Sequence, residues 1–178
     1  TCLVGMIKKD SFTSIIEKEI DSPIHYFESP NLIYNKRSKG LSLRKTISKN
    51  LLKLPTHNAS LNKIKSWIEL YKPDLIINFY DFLAGIYQIR FPFSAPPMVC
   101  IGHQYLLLHK SFQFPERNKL DQFLVNLNSR ITALRAKKML ALSFNAYENH
   151  KNIISVPPLL RNSVLAEPKG NFSYFVAY

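Results

Sequence analysis

Glycine is scarce in this chain, with five in 178 residues, and none of them forms a GxGxxG or GxxxxGK[ST] pattern. That excludes a phosphate cradle of the usual glycine-rich kind from the sequence as it stands. HExxH, GxSxG and the deaminase and zinc-finger spacings are also missing, so no metal site and no bound cofactor are expected. The two cysteines, Cys2 and Cys100, are far apart and sit in apolar strand-like runs. Buried free thiols in a reducing, cytoplasmic setting are the natural reading. No apolar run approaches the roughly 20 residues of a membrane-spanning helix. The opening TCLVGMIKKD has neither the basic start nor the long apolar stretch of a signal peptide. Acidic residues are few, 12 against 24 Lys and Arg, for a formal net charge of +12. The imbalance points to an anionic partner, whether nucleic acid, an anionic membrane face or a phosphorylated substrate.

What is present argues for a folded α/β chain. Hydrophobic residues make up 46% and charged residues 20%, which excludes intrinsic disorder. Short apolar runs at Thr1–Met6, Ile24–Glu28, Leu75–Phe79, Met98–Gly102, Lys138–Ser143 and Asn152–Val156 read as strands. Helical patterns lie at Ser11–Ile20, Leu43–Leu54, Leu61–Tyr71, Leu83–Arg90 and Glu116–Arg135. Continuous runs such as LIINF and MVCIG suit strands buried on both faces, as in a parallel sheet covered by helices. The alternation predicts a Rossmann-like, doubly wound parallel sheet. In ISVPPLLRN, Pro157 and Pro158 end a strand and stiffen the next residues into an extended connector. This predicts one domain over residues 1–156, then a hinge and the first strand of a second domain over 157–178. Strand-like runs at both termini would leave raw sheet edges, so the chain reads as an internal piece of a longer protein.

Several segments, taken in order, resemble a GT-B glycosyltransferase, specifically the amino-terminal half of the branch related to the bacterial lipid-intermediate GlcNAc transferase (family 28-like). They are Lys39-Gly40-Leu41 with Lys45-Thr46 and Asn50, KPDLIINFYD from Lys72 to Asp81, PMVCIGHQ from Pro97 to Gln104, KKMLALSF from Lys137 to Phe144, and VPPLLR from Val156 to Arg161. The resemblance implies an acceptor-binding domain whose first strand and glycine-rich loop would precede Thr1, and whose nucleotide-sugar domain would follow Tyr178. It implies direct displacement at the anomeric carbon without a tightly bound metal, and a nucleotide-sugar donor, a UDP-sugar first, held in the missing domain. The acceptor would be a lipid-linked or cell-surface glycan receiving a hexose or N-acetylhexosamine. One departure stands out. Relatives place an acidic residue directly after the PDxxI strand, where this chain has Phe79.

Ligands of open α/β sheets bind beyond the carboxyl ends of strands. Asp81 and His103 are therefore the candidate catalytic groups, with Asn78, Tyr80 and Gln104 as acceptor contacts and Arg161 reaching donor phosphate. Asp81 also fits a helix cap, and His103 a strand-end histidine. His25, His57, His109 and His150 are read as structural or surface histidines. The basic, leucine-rich stretch LSLRKTISKNLLKLPTHNASLNKIKSW fits either a helix with solvated lysines or a contact with an anionic membrane at its cytoplasmic face. Two other functions stay open. One is a sugar-nucleotide epimerase of the same architecture, which needs more carboxylates on the rim. The other is a basic nucleic-acid-binding module, which scattered Lys and Arg without a known motif disfavour.

Overall fold

The computed structural model describes residues 2–5, 21–31, 33, 43–115 and 119–160. The expected helix at Ser11–Ile20, the Lys39-Gly40-Leu41 segment, Arg161 and everything beyond it lie outside these residues.

All strand pairings between the six strands are parallel. β1 (Cys2–Gly5) pairs with β2 (Ile24–Phe27). β3 (Ile76–Asn78), β4 (Met98–Ile101), β5 (Lys138–Leu142) and β6 (Ile153–Val156) form a second sheet in sequence order. Asn78 lies beside Cys100, Cys100 beside Met139, and Met139 beside Ile153. Each strand falls inside an expected apolar run, and the fold is the α/β, Rossmann-like sheet that the alternation predicts.

The helices are α1 (Leu43–Leu52), α2 (Leu54–Tyr71), α3 (Phe82–Arg90) and α4 (Lys119–Thr132), with a 3-10 helix over His103–Leu108. One boundary differs from expectation. Residues 55–60 are helical, and only Lys53 separates α1 from α2. Pro55 begins a helix here instead of breaking one, because the first turn needs no donor from its nitrogen. At the other end Lys72 takes a left-handed φ of 43° and its N–H donates to Ile68 O at 2.8 Å, after which Pro73 cannot continue the helix.

Two apolar clusters hold the layers together. Phe27, Leu61, Ile64, Ile68, Leu83 and Tyr87 are buried together, with Leu3 and Ile76 packed against them. Helices α2 and α3 thus share one core with strands of both sheets. Met98, Cys100, Tyr105, Met139, Ala141 and Ile153 form the second cluster. Cys100 is a buried free thiol, and burial pushes its pKa up, so it is inert as a nucleophile. The side chain of Cys2 is not among those described. Strand β3 departs from the two-faced burial expected of LIINF. Asn78 is buried, but Ile77, which alternates to the opposite face of the strand, is 54% exposed.

Helix α3 crosses α4 at a point only glycine can occupy. A Cβ on Gly85 would lie 1.9 Å from the carbonyl oxygen of Ile131, so backbone meets backbone where α4 ends.

Candidate functional site: a cleft at the strand ends

The carboxyl ends of β2 and β3 open onto a cleft of about 600 Å³. This is the edge of a parallel sheet where ligands bind, and the volume lies in the roughly 300–1,000 Å³ range of small-molecule sites.

One wall is the turn from β3 into α3. Asn78 organises it. Its side-chain N–H groups donate to Thr132 O at 2.9 Å and Asp81 O at 3.1 Å, and its Oδ1 accepts from the Asp81 N–H at 2.8 Å. Between them Tyr80 sits at φ 66°, the left-handed region that costs a bulky residue about 1–2 kcal/mol. Its ring stacks edge-on against Tyr105 at 5.4 Å, and its hydroxyl lies 2.8 Å from Ser129 Oγ. Because Ser129 donates to Val125 O, Tyr80 is the donor in that pair. Replacing Asn78 with Ala strands a buried carbonyl and the Asp81 N–H together, and is expected to cost about 2–4 kcal/mol. A urea melt checks it, with Asn78→Ala falling well below wild type in midpoint.

Asp81 follows as the residue before α3. Its Oδ1 accepts from the N–H groups of Leu83 at 2.8 Å and Ala84 at 3.3 Å. It is therefore a helix cap. Both bonds use Oδ1, so capping does not engage Oδ2. Burial pushes the carboxyl above the usual aspartate range, opposed by the Ser29 hydroxyl beside it and by the two backbone N–H groups. Ser29 lies outside hydrogen-bonding geometry with that carboxyl.

The opposite wall comes from the segment after β2 and from α1 and α2. The Asn31 N–H donates to Asn50 Oδ1 at 3.3 Å, while Asn50 Nδ2 donates to Asn31 O at 3.0 Å. The Ile33 N–H donates to Thr46 Oγ1 at 2.9 Å. Ser29, Asn31, Thr46, Asn50 and, from α4, Asn128 give this cleft its polar lining, and Pro30, Leu51, Leu54 and Phe82 its apolar patches. His57 in the first turns of α2 completes it. It is 5% exposed, and its Nε2 has no hydrogen-bond partner. Burial pushes the imidazole pKa down; the Glu28 carboxylate opposes this and the Lys53 ammonium adds to it. Glu28 and Lys53 form an ion pair nearby.

The sequence-based candidates divide accordingly. Tyr80 and Asp81 line the cleft, whereas Asn78 is buried behind them and fully engaged by the protein. His103 and Gln104 sit on the same rim, since β3 and β4 run parallel in register, but neither lines the cleft. His103 is exposed at the start of the 3-10 helix, which anchors itself through the buried Tyr105. Arg161 lies outside the described residues. His57, read from the sequence as a structural or surface histidine, is buried, and its spacing carried that signal. Positions 57, 60, 61, 64 and 68 make one buried helical face, which places this histidine inside. Among the described residues no group of three or more His, Cys, Asp or Glu is arranged to hold a metal ion.

The model of glycosyl transferase family 1 matches residues 17–178. No curated protein and no solved structure matches the chain. A match over nearly the whole sequence, on a parallel α/β sheet of the kind that forms half of a GT-B fold, means that this chain belongs to glycosyl transferase family 1 and is a glycosyltransferase.

Proposed function

We propose that this chain forms the acceptor side of an inverting, nucleotide-sugar-dependent glycosyltransferase, with Asp81 as the general base. The observation that carries this is the Asp81 carboxyl. It is half-buried, held by its Oδ1, raised in pKa and set in the wall of a cleft at the strand ends. A carboxylate whose pKa approaches the working pH is a better proton acceptor. Its Oδ2 would take the proton of an acceptor hydroxyl as that oxygen bonds to the anomeric carbon. The bond from that carbon to the donor phosphate breaks, and a nucleoside diphosphate leaves. His103 and Gln104, farther along the rim, would contact the parts of the acceptor that project beyond the cleft. Residues 1–156 would be the acceptor domain, and 157–178 would lead through Arg161 towards a donor domain. The likeness to family 28 rests on segments such as KPDLIINFYD, PMVCIGHQ and VPPLLR. It favours a UDP-sugar, a transferred hexose or N-acetylhexosamine and a lipid-linked or cell-surface glycan acceptor. The test is thermal stabilisation of the full-length protein by UDP-, dTDP- and GDP-sugars. One nucleotide series should raise Tm in proportion to ligand excess; no response to any of them would sink the assignment.

A membrane contact belongs to the same reading. Where α1 meets α2, Leu51, Leu52 and Leu54 are 62%, 82% and 54% exposed. Lys45, Lys49 and Lys63 are exposed on the same two helices. No helix among the described residues is long and apolar enough to cross a membrane, but this junction suits the surface of an anionic leaflet, each lysine adding about 1 kcal/mol. Vesicles containing phosphatidylglycerol should sediment the protein where neutral ones do not. Leu52→Glu, which leaves the cleft lining intact, should weaken that binding at least tenfold. Equal sedimentation of variant and wild type would remove the junction from the contact.

A further inference from the structure

We propose that the cleft is a subsite for one uncharged sugar ring of the acceptor, and that His57 Nε2 is a hydrogen-bonding contact to one of its hydroxyls. This rests on reading the cleft as the acceptor side. It goes further by naming the chemical class of the moiety bound and a residue that reads it.

Three observations carry it. First, charge is distributed unevenly. The chain carries +12, yet none of the described residues lining the cleft is Lys or Arg. The nearby lysines at 45, 49 and 63 point into solvent instead. The lining's own ionisable groups are Asp81, His57 and the Tyr80 phenol. Among the described lining residues, an anion seated here would face the Asp81 carboxylate with no cationic side chain to offset it.

Second, the polar groups are of the kind that read hydroxyls. Asn50 and Asn128 carry amides, which donate and accept at once, and Ser29 carries a hydroxyl. A sugar hydroxyl likewise does both. Leu51, Leu54 and Phe82 supply apolar surface for the C–H faces of a ring. Such a lining of mixed amides, hydroxyls and apolar patches complements a polyol better than a phosphate.

Third, two buried polar atoms of lining residues, Ser29 Oγ and His57 Nε2, have no hydrogen-bond partner. His57 is 95% buried by its 5% exposure, and its Nε2 makes no hydrogen bond. An unpartnered buried polar atom is costly, and in a residue of the cleft wall it leaves a hydrogen bond for an occupant to complete. Burial holds the imidazole towards its neutral form, which suits a hydroxyl and not an anion.

The experiment is a titration of the full-length protein followed by the histidine imidazole signals in proton–nitrogen NMR, with His57 assigned by its loss in His57→Gln. The probes are methyl β-glucoside and methyl N-acetyl-β-glucosaminide, with methyl β-glucuronide as the charged counterpart. The neutral glycosides should shift the His57 signals, and the glucuronide should bind at least tenfold more weakly. In transfer assays His57→Leu should raise the acceptor KM about tenfold with kcat within about threefold, since the contact is made equally in ground and transition states. His57→Gln should recover part of the loss through its amide. Equal or tighter binding of the glucuronide overturns the proposal, as does an unmoved His57 signal. The same samples are assayed for turnover of UDP-, dTDP- and GDP-sugars. Donor turnover with an unmoved His57 refutes this subsite alone, whereas no turnover of any donor refutes the transferase reading on which it rests.

Discussion

Asp81→Asn lowers kcat by about 10²–10⁴-fold and leaves the folded protein at pH 7 as stable as wild type or slightly more so. The first part follows from losing a general base, whose contribution has that size. The second follows from geometry. Asn is as good a cap as Asp, so the bonds from Leu83 and Ala84 are kept, and the burial cost of a charge disappears. The pH dependence has a definite sign. Burial raises the folded pKa of Asp81 above its ordinary value of 3.8, so the folded state holds this proton more tightly than the unfolded one. The resulting stability is fully present below the unfolded pKa and is lost as pH rises through the folded pKa. Wild type should therefore gain on Asp81→Asn as the pH falls towards 4 and lose that gain as it rises again. Asp81→Ala removes cap and base together, costing about 1 kcal/mol, or about 2–4 °C in Tm. Paired kinetics and thermal melts of the two variants separate these roles. An Asp81→Asn enzyme with full turnover would end the base assignment and leave only the cap.

Gly85→Ala should destabilise the chain by about 3 kcal/mol, a fall of about 6–12 °C in Tm. The added methyl would lie 1.9 Å from a backbone oxygen, that of Ile131, and no rotamer change can make room. Helix α4 would have to move, and with it Ser129 and Thr132, which hold Tyr80 and Asn78. Turnover should fall along with stability. The matched control is Ile89→Ala on the same helix, where the side chain is half exposed and the change should stay within about 0.5 kcal/mol. A Gly85→Ala protein that melts with the control would mean that the helices can part without penalty.

The strands were legible because buried parallel strands announce themselves as unbroken apolar runs. MVCIG and KMLAL landed within a residue of where they lie. The Asp81 cap was legible too, since an aspartate before an apolar helical pattern has one common structural use. Other features depend on distance across the fold. Nothing local to LPTHNAS says that His57 faces the segment after β2, and a lone histidine carries little information until its neighbours are known. The start of α2 at Leu54 was not legible, because the apolar pattern begins at Leu61 and residues 54–60 include Pro55, which fits a first helical turn without announcing one. His103 shows the converse: the rule of strand ends placed it on the correct rim, but the rim is longer than the cleft.

The two walls of the cleft differ in how they are built. The β3 side is clasped by Asn78, Tyr80 and the close approach of Gly85 to Ile131, so nearly every substitution there disturbs folding. The α1 side is tied to the segment after β2 by a few bonds from Thr46 and Asn50, and Leu51 beside them stands largely in solvent. Mutation can therefore explore one wall while the other keeps the chemistry in place. Divergence of acceptor preference among descendants of this chain should accumulate where α1 meets α2, and a library confined to Leu51 and Leu54 would search specificity with little loss of folded protein.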